Sequence, residues 1–342
     1  MNRRLRPALA FRSTPPRRVA GLSLIELMIS ITIGLMILSG VAFVFVNTSA
    51  ARNEVERTSR QIENGRYAVE VISDDLRLAG FYGELNVGTV AAPGALPADQ
   101  CSITATDWNA WIPLHVQGFD NGSGFNQTTC ALNARRDNTD VLLIRRARTC
   151  LAGVSGCEAV ANGKPYVQVS LCASEVTTHK LGKEGTETFD LKKKDCIAAA
   201  DKRQYFVYIY YISENNGSGV AVPTLKRLEL SGGAWTTTAL VEGIEEFNVT
   251  YGLDTDGNGS PESYSASPAA TVAAWQSVVS VQFHVLARSL ETSPGYTDAK
   301  TYTIGVDSSG DPVTVTPGLG YRRHVYSSLV RLNNPAGRKD TP

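Results

Sequence analysis

Apolar positions first gather into one unbroken block. Residues 22–46 read LSLIELMISITIGLMILSGVAFVFV, 25 residues with a single charge, Glu26. Coiled as a helix, the block is about 37 Å long at 1.5 Å per residue, against a hydrocarbon core of about 30 Å. It predicts a membrane-spanning helix. From Asn47 the pattern turns amphipathic. Val55, Ile62, Val69 and Leu76 recur every seven residues, with Ile72 on the adjacent edge. Arg52, Glu54, Glu56, Arg57, Arg60, Glu63 and Arg66 fill much of the remaining surface. No proline interrupts residues 22–92. One helix is expected to run from the membrane into a head, with its apolar stripe packed on a sheet. Gly80 and Gly83 are expected to end it.

Beyond Gly83 the periodicity shortens. Strands are expected at Asp140–Arg146, Tyr166–Leu171, Tyr205–Ile212, Thr224–Leu230, Phe247–Tyr251, Val278–Ala287 and Val325–Leu332. The aromatic run from Tyr205 to Tyr211 reads as a buried central strand rather than a ligand platform. Turns are expected at Asn216-Gly217, Gly232-Gly233 and Asp311-Pro312. No long linker and no internal repeat divides the head. The expected fold class is α+β: a long N-terminal helix, half membrane-spanning and half amphipathic, on an antiparallel β-sheet head. A disulfide-containing insertion over about residues 90–200 enlarges that head.

Composition changes this picture in two places. Residues 1–21 hold six Arg and no acid, and beyond them 27 Lys+Arg face 33 Asp+Glu. The basic leader would stay cytoplasmic by the positive-inside rule, and the mildly acidic body argues against nucleic-acid binding. The six cysteines, Cys101, Cys130, Cys150, Cys157, Cys172 and Cys196, all lie beyond the apolar block. Their even number points to disulfides in an oxidising compartment. Connectivity is open; neighbour pairing (101–130, 150–157, 172–196) is the simplest choice. A metal site is the rival reading, but no C-x-x-C occurs.

An ordinary secretory signal has an apolar region of roughly 7–15 residues and a small-residue cleavage site, so this block is too long. A plain anchor leaves Glu26 unexplained, since a carboxylate in an apolar span costs on the order of 2.5–3.5 kcal/mol. Gly21-Leu22-Ser23-Leu24-Ile25-Glu26-Leu27 resembles the type III signal of prepilins and pseudopilins, in which a basic leader ends in Gly and Glu stands fifth in the helix that follows. Leu22 departs from the family's usual Phe. The resemblance implies cleavage between Gly21 and Leu22 by a prepilin peptidase and N-methylation of Leu22. It also implies a contact between Glu26 and the N-terminal ammonium of a neighbouring subunit. Gly34 and Gly40 within the block read either as sites of local bending or as close helix packing.

Three further segments resemble the PilW-like minor pilins of type IV pili. They are Ser73–Gly83 (SDDLRLAGFYG), Val241–Phe247 with Tyr251–Asp254, and Tyr321–Leu332. The resemblance implies a pilin-like fold and a division into a removed leader (1–21), a filament-core helix (22–46), its amphipathic continuation (47–80) and a periplasmic head (81–342). It implies a low-abundance subunit that helps initiate pilus assembly at or near the tip. Its partners would be other minor pilins, the major pilin, the inner-membrane assembly platform and a tip adhesin. Its location would be the inner membrane, N-terminus in the cytoplasm, and then the pilus. The alternatives are a type II secretion pseudopilin and a membrane-tethered periplasmic enzyme or binding module.

Asp254-Thr255-Asp256-Gly257-Asn258-Gly259 fits the opening of a calcium loop, with oxygen ligands at alternate positions and Gly at the sharp turn. A full EF-hand needs Glu at position 12, where Ser265 stands. A shorter calcium loop from Asp254, Asp256, Asn258 and Glu262 is one reading, and a plain polar turn is the other. Enzymatic motifs are absent: there is no H-E-x-x-H, G-x-x-x-x-G-K-[ST] or G-x-S-x-G. His115, His179, His284 and His324 are scattered, and His284, in a β-like run, reads as a satisfied structural histidine. Lys192-Lys193-Lys194 beside Asp195 reads as a solvated turn. The expected class is therefore a structural subunit, not an enzyme.

Overall fold

The computed structural model describes residues 21, 23–126, 128–231 and 233–339. The chain divides into two compact units, the first ending at Glu54 and the second beginning at Val55.

Helix α1 (Leu24–Arg77) is continuous over 54 residues, as the lack of proline allows. Its large apolar side chains from Leu24 to Val46 stand between 48% and 78% exposed, so this surface is stable only in lipid or against other chains. Its hydroxyls turn inward: Ser30 donates to the Glu26 carbonyl (2.7 Å), Thr32 to that of Met28 (2.9 Å) and Ser39 to that of Leu35 (2.8 Å). These bonds satisfy polar groups that hydrocarbon would leave unpaired. At Gly34 and Gly40 an added Cβ would meet nothing within 4 Å among the described residues.

In the second unit two antiparallel sheets flank the rest of α1. The first is built from β1 (Val116–Phe119), β2 (Val141–Ala147), β3 (Pro165–Val169), β4 (His179–Lys183), β5 (Lys202–Ser213), β6 (Thr224–Ser231) and β7 (Ala234–Glu242). Its order is β1-β2-β5-β3-β4, with β6 also on β5 and β7 outside β6. The second sheet contains β8 (Ile244–Leu253), β9 (Ser263–Ser265), β10 (Val278–Arg288) and β13 (Arg323–Arg331), ordered β13-β10-β8-β9. A hairpin of β11 (Tyr302–Val306) and β12 (Pro312–Val315) stands apart in pairing. Short helices α2 (Ala105–Ala110), α3 (Val272–Gln276) and α4 (Asn333–Lys339) close the ends. The aromatic run is the central strand expected: Tyr205, Tyr210, Tyr211 and Ile212 in β5 are fully buried.

All three disulfides fall in the 90–200 stretch, and they join sequence neighbours: Cys101–Cys130, Cys150–Cys157 and Cys172–Cys196. The same stretch supplies β1 to β4, so it is woven into the first sheet.

The face α1 buries differs from the seven-residue stripe. Val55 is 67% exposed and Ile62 42% exposed. The buried residues are Gln61, Gly65, Ala68, Ile72, Ser73, Asp75 and Leu76. The buried face keeps the same seven-residue spacing, through Gln61, Ala68 and Asp75 and through Gly65 and Ile72, but it is rotated by one residue from the apolar stripe. Small size and polar fit decide the contact instead. The Gln61 amide donates to the Ala287 carbonyl (3.0 Å), and the Tyr326 ring fills the space where a side chain at 65 would sit. As expected, α1 stops before Gly80, whose φ of +70° suits glycine.

Candidate functional site

Two regions gather polar and charged groups of α1: its start and the junction where it is clamped to the sheets. Gly21 is exposed and leads into the helix, while Leu22 and the basic leader lie outside the described residues. Ser23 and Glu26 form the pattern of a capping box. The Ser23 amide donates to Glu26 Oε2 (3.4 Å), and the Leu27 amide to the Ser23 carbonyl (3.1 Å). The Glu26 carboxylate thus sits over the positive end of its own helix.

At the junction, Asp75 is the convergence point. Arg146 of β2 donates to Asp75 Oδ1 through Nη2 (2.7 Å) and Nε (3.1 Å), Arg227 of β6 approaches Oδ2 (3.4 Å), and the Tyr210 hydroxyl of β5 donates to Oδ2. The Asp75 side chain is only 8% exposed, so this charge cluster ties α1 to three strands of the first sheet. A second cluster lies on the other sheet. The fully buried Arg323 of β13 donates to Glu245 of β8 (Nε, 2.6 Å) and to Asp298 (Nη1, 3.2 Å). Burial alone would raise the Asp298 carboxyl, but bonds from Tyr302 and Arg323 hold it below the usual range.

Sequence reasoning did not single out these groups, but it marked the segments that carry them. The segments 73–83, 241–254 and 321–332 meet here: Ser73 faces Ser328 (3.4 Å), and Glu245 faces Arg323.

The Asp254–Glu262 loop brings oxygens together. Carboxylate oxygens of Asp254, Asp256 and Glu262 all lie within 4.8 Å of one another. Each is also engaged internally. Asp254, whose side chain is buried, accepts from the Gly257 (2.7 Å) and Gly259 (3.0 Å) amides and from Lys339 of α4 (3.1 Å). Burial pushes its pKa up, and the ammonium and amides outweigh that and pull it below normal. Asp256 holds the Asn258 amide (3.0 Å) and side chain (2.8 Å), and Glu262 holds the Thr255 amide (2.6 Å), which lowers its pKa. Asn258 Oδ1 accepts from Ser260 (2.8 Å).

The histidines do not assemble. His115 is buried with Nε2 2.7 Å from the Val278 carbonyl, and burial lowers it to about 4. His284 lies in β10 as expected, but its Nδ1 has no hydrogen-bond partner, so the satisfied reading fails there. Gly305 of the hairpin lies against it. It passes so close over His284 and Asn248 that a Cβ at 305 would lie 2.2 Å from Asn248 Oδ1 and 3.2 Å from His284 Nδ1.

Residues 209–334 match the profile of the type IV pilus-assembly protein W family, PilW. Residues 16–42 match the prokaryotic N-terminal methylation motif. Over these two stretches the chain is similar to PilW and to prepilin-type starts. The PilW match runs from β5 into α4 and contains both Glu245 and Arg323; the motif match contains Gly21, Leu22 and Glu26. No curated protein sequence matches. A solved type IV-like pilin from Thermus thermophilus superposes with a TM-score of 0.37 at 14% identity, over 81% of this chain and 97% of that one, which is too slight to argue from. The chain therefore joins a match to the N-terminal methylation motif, an apolar helix, an antiparallel head with a PilW match and three disulfides.

Proposed function

We propose that this chain is a minor subunit of a type IV pilus that helps initiate assembly and sits at or near the tip. The observation that supports it most is the joint presence of the methylation motif over 16–42 and the PilW match over 209–334 on one chain. In this reading a prepilin peptidase cuts between Gly21 and Leu22 on the cytoplasmic side, and Leu22 is N-methylated. The apolar part of α1 holds the subunit in the inner membrane with its head in the periplasm, then leaves the bilayer for a filament core. There Glu26 exchanges its own helix end for the N-terminal ammonium of a neighbouring subunit. The assembly platform, the other minor pilins, the major pilin and a tip adhesin are its partners. The role is structural, not catalytic. A type II secretion pseudopilin shares the signal and helix, and the PilW match favours the pilus.

Mass spectrometry of the membrane-extracted N-terminus tests the processing. The expected species begins at N-methyl-Leu22. An intact leader in cells with active prepilin peptidase would sink the reading in favour of a plain tethered module. Loss of surface pili on deletion is expected; lost export of folded enzymes with pili intact points to the pseudopilin.

The close approach of Asp254, Asp256 and Glu262 favours a second, local reading. We propose that this loop takes calcium, with Asn258 as a further oxygen ligand and Lys339 as an internal competitor. In calorimetric titration, Lys339→Ala should bind calcium about tenfold more tightly than wild type, roughly 1.4 kcal/mol. Asp256→Ala should not bind. Absence of heat from both wild type and Lys339→Ala at millimolar calcium leaves the loop a polar turn.

A further inference from the structure

Sheet edges in a folded head are normally guarded, because a row of unpaired amides and carbonyls recruits any passing strand. Most edges here follow that practice. Strand β4 carries Lys180 and Lys183. Strands β1 and β9 are only 4 and 3 residues long, and β12 starts at Pro312. Strand β13 has Arg323 and Arg331 at its ends, and the charged side chains Arg66, Glu70, Asp74 and Arg77 of α1 line the groove beside it.

Strand β7 breaks the pattern. It pairs with β6 alone, and among the described residues no backbone group of 234–241 has a partner elsewhere. From Ala234 to Val241 it reads AWTTTALV, without one charge or proline. Thr236, Thr237, Thr238 and Ala239 are exposed. The β-bulge of this strand lies at its far end, opposite Leu225 and Lys226, so the stretch from Trp235 to Ala239 is regular.

We propose that this edge pairs with the same edge of a second copy of the chain, antiparallel about a two-fold axis at Thr237. Antiparallel pairing about an axis normal to the sheet keeps side-chain faces matched only when the two numbers sum to an even value. Centred on Thr237, it sets Thr237 opposite its own copy, Thr236 opposite Thr238 and Trp235 opposite Ala239. Threonine opposite threonine is a favourable cross-strand pair, and the small Ala239 leaves room for the indole. Trp235 is already fixed, its Nε1–H donating to the Cys101 carbonyl (2.8 Å). A contact of this kind uses the same patch on both copies and closes without leaving a free copy of the edge. The two seven-stranded sheets become one.

The test uses the full chain in detergent, by analytical ultracentrifugation with hydrogen exchange. Wild type should sediment as a dimer whose 234–239 amides are protected. Thr236→Lys with Thr238→Lys sets lysine opposite lysine twice, and should raise the dimer Kd on the order of a hundredfold, with an unchanged melting temperature because both side chains are exposed. Thr236→Lys with Thr238→Glu sets opposite charges face to face and should restore the dimer to within about tenfold of wild type. A wild-type monomer at all concentrations overturns the proposal, as does a dimer untouched by the double lysine variant. Protection of 234–239 that appears only when another pilus subunit is added also overturns it, and assigns the edge to that subunit.

Discussion

Asp75→Ala lowers the stability of the head by about 3–5 kcal/mol, the usual cost of removing one partner of a buried charge cluster. The reason is what remains. Arg146 and Arg227 keep side chains only 12% and 22% exposed, and the Tyr210 hydroxyl loses its acceptor on the central strand. For a unit of this size the melting temperature falls by about 10 °C. The neighbouring Asp74→Ala is the control. Asp74 pairs with Arg77 at 2.7 Å, but both side chains are roughly 60% exposed, so the loss stays below about 1 kcal/mol. Equal losses from the two variants, by thermal or chemical unfolding, would show that α1 is held by apolar packing alone.

Glu26→Ala leaves the precursor cleaved and methylated but absent from sheared fibres. The carboxylate has two uses that a single substitution cannot separate. Within one chain it accepts the Ser23 amide at 3.4 Å. In the proposed fibre it meets a neighbouring ammonium. Glu26→Gln separates them, because glutamine completes a capping box but brings no charge. The pairing role predicts that both variants are processed and both fail to enter pili. Normal incorporation of Glu26→Gln would reduce Glu26 to a helix cap.

Much of this was legible in the sequence because it rests on local pattern. The membrane-length helix, its end near Gly80 and the strands β2, β3, β5, β6, β8, β10 and β13 each follow from apolar runs bounded by turn residues. Strands β1, β4, β11 and β12 are short or lysine-rich, and β7 is Thr-rich and exposed; they exist because a neighbour supplies the hydrogen bonds. The wrong helix face has a related cause. Large side chains such as Val55 and Ile62 dominate a hydropathy reading, whereas the sheet accepts Gly65 and Ala68 because they let the backbone come close. At the candidate sites the sequence marked Gly21, Leu22 and Glu26 through spacing. It marked Asp254, Asp256, Asn258 and Glu262 in the same way, but not Lys339, which arrives from a helix some 85 residues on. Asp75 and Arg323 were hidden because their partners, Arg146 and Glu245, are remote in sequence.

The seat of α1 sets an order of events during synthesis. Tyr326, against Gly65, and Ser328, against Ser73, belong to β13, and the latter pair is separated by 255 residues. Until β13 has emerged, β10 has a bare edge, Glu245 lacks its guanidinium, and the small-residue face of α1 has nothing to rest on. Contacts of such long range form slowly and leave strand edges open meanwhile. The anchor is thus committed to the bilayer well before the head can close around its continuation. A nascent chain stalled before Tyr321 is a half-built sheet, and it is at that stage that a chaperone or protease has its opportunity.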